Sequence, residues 1–431
     1  MRQRRFETDR EYAEKLDRED PLRSFRSRFH IPTDTIYLDG NSLGLLSHDT
    51  ERTLHRVLGE WRTLGIRGWL EGTPPWFYFA ERLGETAAGL VGALPEEVVA
   101  TGTTTLNIHA LVGTLYRPEG GRTKILAGAL DFPTDIYALK SQIELRGLDS
   151  TDHLVLVPSS DGRLIDEETI VSLMTDEIAL ILLPSVLYRS GQLLDIGRLT
   201  GEARRRGICI GFDCSHSVGA VPHRFDDDDV DFAVWCSYKY LNGGPGSPAF
   251  LYLNKRHFGR EPALAGWFGY VKERQFDMSL EFEHARSAGG WQISSPSILG
   301  STAVEGALNL IIEAGLENIR SKSLAMTSYL IHLVDSMLTG APYGFSIGTP
   351  REPGRRGGHV ALERGSEAMR INEALKARGV IPDFRPPNII RIAPVALYNT
   401  YGEVWQLVHH LREIIDGKEY ERFSGERGLI P

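Results

Sequence analysis

Short apolar runs alternate with helically spaced apolar positions from about residue 97 to residue 212. Val98-Val99-Ala100, Lys124-Ile125-Leu126-Ala127, His153-Leu154-Val155-Leu156-Val157, Ile178-Ala179-Leu180-Ile181-Leu182-Leu183 and Ile208-Cys209-Ile210-Gly211-Phe212 read as strands. Helical spacing opens at Ile108 and recurs over Ile136 to Leu148, Glu167 to Met174 and Ile196 to Arg206. The run at 178–183 lacks polar alternation, as expected of a parallel strand buried on both faces. Repetition of strand and helix at this length predicts an α/β domain on a mainly parallel sheet.

The flanking segments have other patterns. Glu7 to Arg28 is charged, with Leu16, Leu22 and Phe25 as sparse apolar positions, and reads as a surface helix or arm that must dock. Helices are predicted near 50–63 and 76–93, anchored by Trp61, Phe77 and Leu83. Long apolar-periodic stretches run from Pro296 to Ala314 and from Leu316 to Leu338. Gly340 to Gly358, rich in Gly, Pro and Arg, reads as a connection to a second unit. That unit has strands at Val360-Ala361-Leu362 and Ile389-Ile390-Arg391-Ile392 and helices near 366–378 and 402–416, which suits a small α+β domain. The expected division is an arm at 1–50, a large domain at 51–320 and a small one at 321–431.

Composition narrows the function classes. A chain of 431 residues, 42% hydrophobic and 24% charged, has the profile of an ordinary globular protein. A net charge of −9 gives no reason to expect nucleic acid or an acidic membrane as partner. The basic cluster Met1-Arg2-Gln3-Arg4-Arg5 is not followed by an apolar core, so no secretory leader is expected. No apolar run reaches the roughly 18 residues that span a bilayer. Cys209, Cys214 and Cys236 are the only cysteines, and none forms a C-x-x-C pair. Two lie in strand-like apolar runs, where a free thiol behaves as a small hydrophobe, and a reducing cytoplasm is expected. Asp226-Asp227-Asp228-Asp229 reads as a solvated loop, and His409-His410 cannot share one helical face. No metal centre is expected.

The chemistry centres on Lys239, at the end of the run Ala233-Val234-Trp235-Cys236-Ser237-Tyr238 and before the turn Leu241-Asn242-Gly243-Gly244-Pro245-Gly246. An ammonium in apolar surroundings is costly, its pKa falls, and a lysine so tuned forms Schiff bases. Glycines after it permit close approach of a phosphate or a second backbone. Asp213 ends an earlier strand, and ligand sites in open α/β sheets gather at strand carboxyl ends. An aspartate there can keep a pyridine nitrogen protonated and make the ring an electron sink. His216 follows closely enough to stack on such a ring or hydrogen-bond beside it. Thr101-Gly102-Thr103-Thr104-Thr105-Leu106-Asn107 stands between a strand and a helix, where hydroxyls and backbone N–H groups hold anions. No Walker A motif and no strand-bound G-x-G-x-x-G occurs, so nucleotide phosphate sites lack support.

Seven segments carry a family resemblance in this order: Tyr37-Leu38-Asp39-Gly40-Asn41-Ser42-Leu43-Gly44, the threonine loop with Leu106-Asn107, and Phe132-Pro133-Thr134-Asp135; then Gly211-Phe212-Asp213-Cys214-Ser215-His216, Cys236-Ser237-Tyr238-Lys239-Tyr240-Leu241-Asn242, Gly266-Trp267-Phe268-Gly269, and Arg391-Ile392-Ala393-Pro394-Val395-Ala396-Leu397-Tyr398-Asn399. Along nearly its whole length the chain resembles bacterial kynureninases, pyridoxal-phosphate (PLP) enzymes of fold type I. The resemblance implies a seven-stranded-type sheet with a small C-terminal domain, and hydrolysis of L-kynurenine, or its 3-hydroxy form, to anthranilate (or 3-hydroxyanthranilate) and L-alanine.

It also implies residue roles. Lys239 would hold the cofactor aldehyde, Asp213 would pair with the pyridinium nitrogen, and Phe132 would stack on the ring with Thr134 or Asp135 beside it. Thr104, Thr105 and Tyr238 would bind phosphate, with Trp267 and Ser295 arriving from the neighbouring subunit of a homodimer. Arg391 would clamp the substrate carboxylate, and Trp69, Asn41 and Ser294 would contact substrate. Ser295 stands where relatives often carry Thr or Asn, which leaves the preference between the two substrates open. The neighbourhood of Ser185 is less polar than a cofactor site suggests, so its role is open too. A cysteine desulfurase needs a sulfur-accepting thiol, and none follows Cys236. An aminotransferase shares the first chemical steps and stays open as an alternative; a catalytically silent relative would commonly lack the lysine or the aspartate, and both are here.

Overall fold

In the computed structural model, which describes residues 6–425, the chain enters through the helix Arg10–Glu19 and a two-residue strand, β1 (Ile36–Tyr37). The basic cluster at residues 1–5 lies outside the described residues. The helices His48–Leu64 and Phe79–Val91 follow. Then come β2 (Val98–Ala100), β3 (Lys124–Gly128), β4 (Leu154–Val157), β5 (Ile178–Pro184), β6 (Cys209–Asp213), β7 (Phe232–Trp235) and β8 (Phe250–Leu253). They form a seven-stranded sheet in the order β2-β8-β7-β6-β5-β3-β4. Pairing is parallel from β7 through β4, and only β8 runs against its two neighbours.

Side chains alternate across each strand, so an uninterrupted apolar run must be covered on both faces. In β5, Leu180 and Leu182 join one core with Ile125, Val234 and Leu111 of the helix Thr104–Leu115. Ile181 and Leu183 join the opposite core with Leu126, Phe212, Trp235 and Leu308 of the helix Ile298–Ala314.

The remaining strands are β9 (Phe345–Ile347), β10 (Val360–Arg364), β11 (Val380–Ile381), β12 (Asp383–Arg385) and β13 (Ile389–Ile392). Four make an antiparallel sheet, β12-β13-β10-β9, while β11 pairs in parallel with β1. A third core joins this sheet to the helices Leu316–Met337, Ala368–Ala377 and Tyr401–Asp416. Ala13 and Leu16 of the first helix enter the same core, so the arm docks as its sparse apolar positions predict. Its Asp17 carboxylate accepts from the backbone N–H groups of Tyr401 (2.6 Å) and Gly402 (2.9 Å), at the positive end of the C-terminal helix. Asp20 completes the docking through a buried ion pair with Lys322 at 2.7 Å.

Four local expectations need correction. Trp61 is 59% exposed and so is no core anchor; Trp76 and Phe79 are the buried aromatics there. Residues 340–358 are more than a connection, because they supply β9 and the fully buried Arg356. His153 closes the short helix Ser150–His153, where Asp149 caps the N-terminus and draws the chain out of extended geometry. Lastly, β7 ends at Trp235, which puts Lys239 in the following turn rather than at a strand end.

Candidate active site

The segments singled out around Lys239 close or follow the carboxyl ends of strands of the seven-stranded sheet. The Thr103–Thr105 loop follows β2, Phe132–Asp135 follows β3, Ser185 follows β5, Asp213 closes β6, and the Lys239 turn follows β7. The turn is set by Asn242, at φ 57°, whose N–H donates to the Lys239 carbonyl at 2.9 Å. The loop at residues 39–44 lies against it: Gly44 N–H donates to the Tyr238 carbonyl at 2.7 Å. A Cβ on Gly44 would stand 2.6 Å from the Lys239 carbonyl and 2.2 Å from Asn242 Oδ1, so only glycine fits.

Lys239 Nζ lies 3.0 Å from His216 Nε2. Burial first, and then the Lys239 charge, push His216 well below the ordinary histidine range. A neutral imidazole accepts from the ammonium, and its buried Nδ1 has no partner. Asp213 accepts from Ser215 N–H at 2.8 Å. Asp213 closes β6 and pairs in register with Val234 of the adjacent parallel strand β7, whose following turn carries Lys239.

Two further carboxyls stand behind Asp213. Burial above all, then the Asp213 charge, raise Asp135 well above the carboxylate range, and burial raises Asp131 likewise. Asp131 accepts from Gly128 N–H at 2.7 Å, while one oxygen of Asp131 and one of Asp135 are buried without a partner. Three crowded acids cannot all ionise, so a protonated Asp135 is left to donate to Asp213. The threonine loop supplies hydroxyls: Thr103 caps the helix Thr104–Leu115, and Thr105 Oγ1 bonds Thr134 Oγ1 at 2.8 Å. Phe132 is 42% exposed and meets Tyr188 edge-on at 5.2 Å.

Arg391, on β13, is 1% exposed. It donates to the Tyr188 carbonyl (2.7 Å) and Ser42 Oγ (3.1 Å) and forms an ion pair with Asp383, leaving Nε unpartnered. Asn41 is fully buried, and neither its Oδ1 nor its Nδ2 has a partner. Burial and then Asp383 raise Asp39 to about 6. Ser185 is buried and shares a 2.6 Å hydrogen bond with Ser217, which gives it a structural place at the site.

Trp69 packs on Trp76 and Phe268, Trp267 is 43% exposed, and Ser294 and Ser295 are exposed. Among the described residues no hydrogen bond, ion pair or ring contact joins these four to Lys239, Asp213 or Arg391. Sequence reasoning missed four residues that do gather here. Asp131 stood one helical turn before Asp135, a legible signal. Ser42 stood inside a quoted motif. Asp383 and His359, whose buried ring lies 5.9 Å from His216, carried no local signal because packing alone brings them in.

Residues 319–411 match the kynureninase C-terminal domain, and residues 36–352 match the class-V aminotransferases. A kynureninase of Geobacillus thermodenitrificans is 54% identical over 97% of both chains, and one of Bacillus anthracis is 54% identical over 99% of both. The chain belongs to the kynureninase family. Kynureninases are PLP-dependent hydrolases acting on carbon–carbon bonds, and this chain is one of that class. The fold is wider than the family. A cysteine desulfurase of Thermococcus onnurineus superposes with a TM-score of 0.78 at 18% identity, covering 91% of this chain and 98% of its own. C-DES, in a mutant carrying glycine linked to its PLP, gives 0.77 at 16%, covering 90% and 98%. The donor set fits PLP: an amine, a carboxyl-bearing end with orphaned buried oxygens, an orphaned imidazole nitrogen and a hydroxyl-lined helix N-terminus.

Proposed function

We propose that this chain cleaves the Cβ–Cγ bond of L-kynurenine, with or without the 3-hydroxyl, through the residues gathered around Lys239. PLP, when bound, acts as the sink for negative charge that develops at the substrate Cα. Lys239 would hold the cofactor aldehyde and, as the free amine, would take the Cα proton; the neutral His216 beside it would accept a hydrogen bond from the ammonium so formed. Asp213 keeps the pyridine nitrogen protonated, and Asp135, itself protonated, steadies that carboxylate.

Thr104, Thr105 and Tyr238 would hold the phosphate end, and Phe132 would cover the ring with Thr134, bonded to Thr105, beside it. Arg391 fixes the substrate carboxylate with Ser42 and Asn41 alongside, orienting the Cα–H bond for removal. Water adds to the γ-carbonyl, the Cβ–Cγ bond breaks, and anthranilate departs. Burial raises the Tyr238 phenol, keeping it protonated as the donor to Cβ.

Trp267, Ser294 and Ser295 are exposed within the chain, which supports their completing a neighbouring copy's site in a homodimer, with Trp69 lining the aromatic pocket. The division at residues 50 and 320 and a cytoplasmic location belong to the same reading. The observation that supports it is that adjacent parallel strands deliver Asp213, at the end of β6, and Lys239, in the turn after β7, with Lys239 Nζ 3.0 Å from His216 Nε2. Adding L-kynurenine to the holoenzyme should release fluorescent anthranilate and alanine, and Lys239→Ala should abolish both turnover and the bound-cofactor absorbance. A keto acid without anthranilate would favour an aminotransferase instead.

A further inference from the structure

The segment that delivers Asp39, Asn41 and Ser42 to the site is a loop with a closed neck. Its ends meet in a bridge between Phe29 and Ser47, and His30 N–H donates to the Leu46 carbonyl at 2.9 Å. Ser47 then caps the helix His48–Leu64, which fixes the backbone beneath His48 and Glu51. These two, three residues apart, share a helical face, and His30 leans onto them from the other side of the neck.

His30 Nε2 lies 3.0 Å from Glu51 Oε2, and His48 Nδ1 lies 3.7 Å from the same oxygen. The two imidazole centroids are 4.1 Å apart. Bond lengths of about 2.0–2.2 Å to zinc put tetrahedral ligand atoms roughly 3.3 Å from one another, within that spread. All three donor atoms lie within 4.8 Å of one another. His55 stands one turn beyond Glu51 on the same helix. The neighbouring guanidiniums are occupied elsewhere, because Arg28 and Arg52 both pair with Asp49 at 2.6 Å. The other such group among the described residues, Cys209, Asp231 and His257, has no comparable vacancy: Ile210 N–H, Arg256 and His257 already engage Asp231.

We propose that His30, His48 and Glu51 form a site for a divalent transition metal ion, which clips the neck of the loop carrying Asp39, Asn41 and Ser42. Two imidazoles and one carboxylate select zinc, nickel, cobalt or copper over magnesium or calcium. The exposed side leaves room for water. Nothing in the chemistry at Lys239 is asked of the ion, so this site stands or falls separately from the hydrolase reading.

The test is equilibrium dialysis and Co(II) spectroscopy on holoenzyme freed of metal, with His30→Gln/His48→Gln as the comparison. Both histidines are at the surface, so the variant is expected to fold, with the cofactor spectrum as the check. The wild type should take up one Co(II) per chain with visible ligand-field bands, and zinc should displace it. The variant should lose at least the roughly 100-fold in affinity that even an outer-shell change can cost. Metal should also slow amide hydrogen exchange over residues 39–44 in the wild type alone. Failure of Co(II) or zinc to bind, or equal binding by the variant, overturns the site; binding without altered exchange overturns the clip.

Discussion

Asp39 carries a pH signature of its own. In the folded chain it titrates near 6, against about 4 when unfolded. The native state therefore holds a proton that the unfolded chain has released between those values, and stability falls as pH rises from about 4 to 6. Asp39→Asn should flatten that slope and recover on the order of 2 kcal/mol at pH 7, read from urea unfolding at several pH values. Asp135 offers a sharper contrast. Because burial and Asp213 keep it protonated, Asp135→Asn retains the donor and should hold kcat within a few-fold. Asp135→Ala removes the donor and should lower kcat by about 10- to 100-fold, in the manner of an outer-shell support. Equal losses in the two variants would contradict a protonated Asp135.

At the scale of elements, the Lys239 turn and the 39–44 loop are one unit. Gly44→Ala would drive a methyl into the Lys239 carbonyl and Asn242. The expected result is a loss of about 1–3 kcal/mol, typical of overpacking, together with a fall in kcat because the amine is displaced. Thermal unfolding and steady-state assays would read both. Here the text of the sequence was only half legible. The glycines and the order of the motif were visible, whereas its contact with a turn nearly 200 residues later was not, since helical or strand periodicity reports a residue's own element and not what packs on it. Trp61 shows the same limit: its helical spacing suggests a core position, yet the side chain is 59% exposed.

The molecule as a whole exposes more apolar surface than scattered side chains account for. Ile66, Leu70, Phe276, Met278 and Leu280 are 81%, 74%, 74%, 66% and 101% exposed, alongside Trp61 and Trp267. Trp267 meets Phe276 edge-on at 5.8 Å, and exposed apolar side chains that gather in this way mark an association surface. Phe276→Asp/Leu280→Asp should leave the monomer's fold intact while shifting sedimentation toward monomer, and activity should fall with it if Trp267 serves a second copy. Unchanged sedimentation would separate these residues from any interface.

The sequence by itself determined the strand–helix alternation, the buried parallel run of β5, the docking of the N-terminal helix and the placing of Lys239 and Asp213 after neighbouring strand runs, because periodicity and residue type are local properties. Only the tertiary structure decided that Lys239 sits in a turn against Asn242 and Gly44, that Asp131 and Asp135 crowd behind Asp213, that Arg391 is held by Asp383 and Ser42, and that His30 meets His48 and Glu51. Each of those depends on segments distant along the chain being packed together, and their proximity is a product of the closed cores rather than of any local pattern.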